Sequence, residues 1–151
     1  MQPETPQIDQ TDALYQHEWS AIKSDKTLGK RVGRRKAQKI LRKVTGNPEA
    51  EVKIDRRLGK FGIVGGGMAQ TKPDEWYGKP GDVFFNPKGK FFPSRRIEVG
   101  QVIHEASHIV SPEEGHGPGF AKTYLDTTES IVGKDAATTL KDHFNAGNVK
   151  Y

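Results

Sequence analysis

Apolar residues recur at helical spacing in five stretches of this chain and at extended spacing in three shorter ones. Tyr15 and Trp19 stand four apart and are followed by Ile22, with Ala13 and Leu14 beside them. This predicts a helix over 12–24, with Thr11 or Asp12 as its cap. Residues 34–44 put Ala37, Ile40, Leu41 and Val44 on one face and Lys or Arg elsewhere, and Gly46, Asn47 and Pro48 end that helix. Val99, Val102, Ile103, Ala106 and Val110 form the stripe of a third, with Ser94 as its expected cap and Gly100 as a weak point inside it. Phe120, Tyr124 and Leu125 open a fourth, which runs to Val132 and closes at Gly133. Ala136, Leu140 and Phe144 make the face of a fifth, capped near Asp135 and ended by Gly147.

Val52 and Ile54 alternate within 51–55, as in a short strand. Residues 61–70 form a second extended stretch, interrupted by Gly65, Gly66 and Gly67. Residues 82–86, with Val83, Phe84 and Phe85, form a third, ended by Pro87, and 73–80 read as a loop around Trp76 and Tyr77. Helices flanking a few short strands predict an α+β fold: a small mixed sheet of about three strands, the third helix across it, and helices at both ends. Residues 1–10, with Pro3 and Pro6, are expected as a disordered tail, and 11–151 as a single domain. At 151 residues the chain has room for one modest core and not for a second catalytic domain.

Hydrophobic residues make up 33% of the chain and charged residues 28%, and no apolar run is long enough to cross a bilayer. The polar N-terminus lacks the basic start and apolar centre of a signal peptide, so the expected location is the cytoplasm. Without cysteine there are no disulfides and no thiolate ligands, so any metal must be held by histidine and carboxylate. The net charge of +5 is concentrated: residues 23–43 hold ten of the 24 Lys and Arg against one acid, Asp25, a local +9 that leaves −4 elsewhere. This segment is either a solvated helix face or a weak, sequence-tolerant contact to the phosphates of DNA. The cluster contains no aromatic residue for base stacking.

The candidate chemistry lies in residues 103–120. His104 and His108 are four apart, so on a helix they project from nearly one face and can offer two imidazoles to one metal ion. Glu105, one position round, can reach a water on that metal. Catalytic zinc usually takes three protein ligands plus a water, and His116, in a Gly-His-Gly-Pro turn, is the natural third. A metzincin would need glycine at 111 and histidine at 114. The chain has Ser111 and Glu114, and neither Met1 nor Met68 follows the motif to make a Met-turn. A third ligand of gluzincin type would be Glu129, 21 residues after His108. The bland alternative is a solvated helix carrying two histidines, but three of the five histidines fall within 13 residues. His17 and His143 are set aside as surface or packing residues. Tyr124 either packs in the core with Phe120 or points its hydroxyl at a developing oxyanion.

His-Glu-x-x-His followed by Gly115, His116, Gly117, Pro118, Gly119 and Phe120 resembles the SprT/Spartan-type and WLM-type zinc metalloproteases. It is more similar still to a group of small metallohydrolases found in actinobacteria and their phages. The likeness covers most of residues 50–145. It implies a compact zincin-like domain of minimal gluzincin type, located in the host cytoplasm for a phage-encoded member. Zinc would be bound by His104, His108 and His116, with Glu105 as the catalytic base of peptide hydrolysis and a protein or peptide as substrate. Gly67 and Ala69 match the Gly-x-Ala of the family's edge strand, where substrate pairs as an added strand; the alternative is a hinge or bulge. The chain departs from the pattern in the short loop between His108 and His116, and no cysteine follows for a zinc ribbon. Two other classes remain: a nucleic-acid-binding protein with a structural or vestigial zinc site, and a regulatory protein that is itself cleaved or sequestered.

Overall fold

The buried stripe of the first helix, α1 (Thr11–Ser24), is Leu14, Glu18, Ala21 and Ile22. A carboxylate in the middle of that stripe means the helix faces something besides hydrocarbon. The computed structural model describes residues 9–54, 67–69, 79–85, 97–113 and 115–151. Within them the chain runs through α1, β1 (Arg31–Val32), α2 (Arg34–Thr45), β2 (Val52–Ile54), β3 (Gly67–Ala69), β4 (Val83–Phe85), β5 (Ile97–Glu98), α3 (Val99–Val110), α4 (Pro118–Val132) and α5 (Lys134–Ala146). The architecture is mixed α+β, with helices packed around α3: α2 and α4 lie against it, while α5 packs on α4 and α1.

The expected mixed sheet has strand order β2-β4-β3, with β2 parallel and β3 antiparallel to β4. Val83, Phe84 and Phe85 of the central strand are all buried, as their continuous apolar run requires. Among the described residues β3 is an edge strand, and it packs beside α3. Asp82 fixes the start of β4, its carboxylate accepting from the amides of Glu51 and Lys79, each at 3.1 Å, while Lys53 Nζ stands 3.2 Å away.

A second, two-stranded ribbon was not foreseen. β1 pairs antiparallel with β5, Arg31 opposite Glu98 and Val32 opposite Ile97. It explains how α3 begins. The helix starts at Val99 with Glu98 at the N-cap and no side-chain cap bond. Its first amides are satisfied by tertiary carbonyls instead, Val99 N–H donating to Lys30 O and Gly100 N–H to Leu28 O, both at 2.9 Å. The cap expected at Ser94 lies outside the described residues, as do residues 73–78 of the expected loop.

Gly100 is a point of close approach rather than a weakness: a Cβ there would stand 2.7 Å from Ile22 Cγ1 and 3.3 Å from Leu28 O. Val110, expected in the buried stripe, is 42% exposed because the last turn of α3 runs past the core. At the N-terminus neither Thr11 nor Asp12 caps α1; the N-cap is Gln10, and Asp9 accepts hydrogen bonds from the amide and hydroxyl of Thr11 at 3.1 and 2.8 Å. Gln10, assigned to the tail from sequence, exchanges two 2.8 Å hydrogen bonds with the backbone of Lys150. The cap expected near Asp135 falls at Gly133 instead, which, at φ +100°, ends α4 and caps α5 at once. Among the described residues no helix is long and apolar enough to cross a membrane.

Candidate metal centre

His104 and His108 project from one side of α3, and the chain returns to them through a turn bent at Gly115, where φ is +80°. Glu113 holds that turn closed. Its Oε1 accepts from the amides of Gly119 at 2.7 Å and Phe120 at 3.2 Å, satisfying two free donors in the first turn of α4. A Cβ at Gly119 would lie 2.6 Å from the Glu113 carboxyl carbon, so the contact needs glycine. Pro118 opens α4, and His116 is left facing the other two histidines.

The three Nε2 atoms form a nearly equilateral triangle. His104 and His116 are 3.2 Å apart, His104 and His108 3.2 Å, and His108 and His116 3.1 Å. Three nitrogens of a tetrahedral zinc site, each about 2.05 Å from the metal, stand about 3.3 Å apart. The histidines are therefore close enough to hold one metal ion, and imidazole donors suit zinc, copper, iron and nickel alike.

Two of the three imidazoles are oriented from behind by α1. Nδ1 of His104 donates to the buried Glu18 carboxylate in a short hydrogen bond. Nδ1 of His116 lies 3.3 Å from Thr11 Oγ1, and since that hydroxyl donates to Asp9, it accepts from the ring. Both contacts hold the Nδ1–H tautomer, leaving Nε2 as the free donor atom, and both resist ring rotation. Phe120 stacks on His108 with centroids 4.1 Å apart.

Burial pushes the His108 imidazole down to about 3 and that of His116 down to about 4, with the His104 charge acting in the same direction. Both rings are thus neutral and ready to ligate. For His104 burial also works downward, but Glu18 and Glu105 outweigh it and hold the imidazole above its ordinary value. Glu105 lies with Oε1 3.8 Å from His104 Nε2 and is itself buried. Burial pushes its carboxyl up to about 7, against the opposing charge of His104 and with help from Glu18. A cation held by the three rings would draw it back down.

The chain matches no family model, no curated protein and no solved structure.

The site brings together His104, His108, His116 and Glu105, and leaves Glu129 outside. At 100° per residue Glu129 lies about 180° round α4 from Phe120. It is exposed on a groove shared with Lys122, Lys134 and Lys141. Tyr124 is fully buried and its hydroxyl donates to Gly100 O at 2.9 Å, so it belongs to the core and not to the cleft. Sequence reasoning missed Glu18, Thr11 and Tyr15. The stacked ring of Tyr15 lies 5.6 Å from that of His104, and its centroid is 4.9 Å from that of His116. Partial burial, then Glu105 and Glu18, push its phenol up to about 12. Glu18 had left a signal, a carboxylate four residues after Leu14 and four before Ile22 on an apolar stripe. His17, set aside from the site, packs its ring over Gly147.

Proposed function

We propose that the protein is a zinc-dependent metallohydrolase of zincin-like fold, most simply a metallopeptidase. The observation that carries this is the Nε2 triangle of His104, His108 and His116 with the buried carboxylate of Glu105 3.8 Å from one corner. The resemblance of the two motifs to SprT-type and WLM-type proteases supports the same reading.

The three histidines would hold the ion through Nε2. Bound zinc supplies Lewis acidity, lowering the pKa of a coordinated water toward about 7 and polarising a carbonyl. Glu105 takes the proton of the attacking water on a carboxylate oxygen and hands it to the departing amine as the peptide C–N bond breaks. Glu18 and Thr11 keep the imidazoles aimed during that exchange. Among the described residues β3 is an edge strand beside α3, which supports an extended substrate pairing there as an added strand.

The experiment is Glu105→Gln in zinc-loaded protein, with casein as substrate. The variant should keep its zinc and melting temperature and lose cleavage, because an amide of nearly the same size cannot accept the proton. Cleavage at the wild-type rate would remove Glu105 from this role.

A second reading, a nucleic-acid-binding protein with a structural zinc site, is favoured by one observation. Arg34, Arg35, Lys36, Lys39 and Lys43 are all exposed along α2, and neighbouring Lys30 and Lys39 lower the pKa of Lys36. On this reading Glu105→Gln would leave nucleic-acid binding unchanged. Phosphate contact through residues 23–43 would then be the main activity.

A further inference from the structure

We infer that Tyr15 is the substrate-facing donor of this site, its hydroxyl giving a hydrogen bond to the oxygen that gains negative charge when a carbonyl is attacked at the metal. This rests on the metal-centre reading above.

The rings around the three histidines divide into two kinds. Phe120 and Tyr124 touch the imidazoles from the core and are fully buried. Tyr15 touches His104 and His116 and is 47% exposed, so it stands on the solvent side, where a substrate must enter. Among the described residues its hydroxyl has no hydrogen-bond partner, whereas that of Tyr124 is engaged with Gly100 O.

The position suits electrostatic catalysis. An oxyanion needs a fixed donor that costs no reorganisation during the reaction. Tyr15 is held by α1, the helix that also fixes His104 through Glu18 and His116 through Thr11. The donor and the imidazoles therefore share one support. The phenol keeps its proton throughout: it lends a hydrogen bond and exchanges no atoms with the substrate.

The test compares wild type with Tyr15→Phe, both zinc-loaded. Phenylalanine preserves the ring packing on His104 and His116 and removes only the hydroxyl. Zinc affinity and melting temperature should be unchanged, while affinity for acetohydroxamate, which places an anionic oxygen on the metal, should fall about tenfold, as expected for losing a hydrogen bond to a charged group. Equal hydroxamate affinity in the two proteins would overturn the assignment. So would loss of zinc from Tyr15→Phe, which would make the residue structural, or failure of zinc-loaded wild type to bind hydroxamate at all. Hydroxamate binding is read without any peptide being cleaved. A failure of the peptidase proposal therefore shows as intact, Tyr15-dependent binding without proteolysis, and is distinguishable from a failure here.

Discussion

The buried carboxylate of Glu18 accepts a hydrogen bond from Nδ1 of His104, joining α1 to a residue 86 positions later. A carboxylate behind a ligating histidine fixes the ring, raises its basicity and offsets part of the cation's charge. Glu18→Gln should therefore keep the fold but weaken zinc binding about 10-fold, and Glu18→Ala, which also leaves Nδ1–H unpaired, toward 100-fold. Chelator competition measures both. Wild-type affinity in Glu18→Ala would mean that the contact matters only to apo packing.

The third ligand is decided by two substitutions at once. His116→Ala should empty the site or weaken it beyond measurement. Glu129→Gln should leave zinc content unchanged, because the Glu129 side chain is exposed on the far face of α4. Metal analysis after dialysis reads both, and the reverse pattern would transfer the ligand role to Glu129.

Zinc affinity should fall with acid. In the metal-free protein the His104 imidazole is held above its ordinary pKa, so its proton must be displaced for Nε2 to ligate. His108 and His116 titrate at about 3 and about 4 and are already neutral at higher pH. Between about pH 5 and 6, displacing the His104 proton predicts a loss of about tenfold in affinity per pH unit, and the proton that the cation expels from Glu105, held at about 7 in the metal-free protein, makes the fall steeper. The loss steepens below about 4, where His116 also takes up a proton. Isothermal titration in two buffers of different ionisation enthalpy counts the protons released, and a count near zero at pH 5 to 6 would contradict the scheme.

For the basic helix the structure narrows the set of residues to change. Arg42 Nε donates to Ala50 O at 2.9 Å and belongs to the fold, whereas Lys36, Lys39 and Lys43 are exposed. If the three lysines meet phosphates, log K against log salt on duplex DNA should have a slope near −3, at about −0.9 per phosphate neutralised. Changing them together to Gln should flatten that slope and spare the zinc. Fluorescence anisotropy at two salt concentrations tests this. No binding to single- or double-stranded DNA at low salt would leave the helix as a solvated face.

What the sequence made legible was what repeats locally. The four-residue spacing of His104 and His108 determines a shared face before any tertiary contact exists, and the Gly-Pro frame of His116 marks a turn. The stripe of Ala37 and Leu41 was equally plain, and both are buried. The two-residue strands β1 and β5 are too short to carry a period and are defined only by each other. Glu129 and Tyr124 were weighed by distance along the chain, but what decides their roles is the rotation of α4 about its axis. That rotation is set by packing against α3 and α5. Glu18 and Tyr15 gain their meaning from His104, on another helix, and no local pattern announces such a partner.

The spans of chain within the candidate metal centre are very unequal. His104 and His116 are 12 residues apart, whereas Glu18 lies 86 residues from His104 and Thr11 lies 105 from His116. The contact between Gln10 and Lys150 that fastens the start of α1 spans 140. Closing a short loop costs less entropy than closing a long one, so during folding the three histidines can capture a metal ion before α1 docks behind them. Refolding in the presence of zinc should then pass through a loosely held, easily stripped ion before the tightly held one. The gap between those two stages would record the arrival of the N-terminal helix.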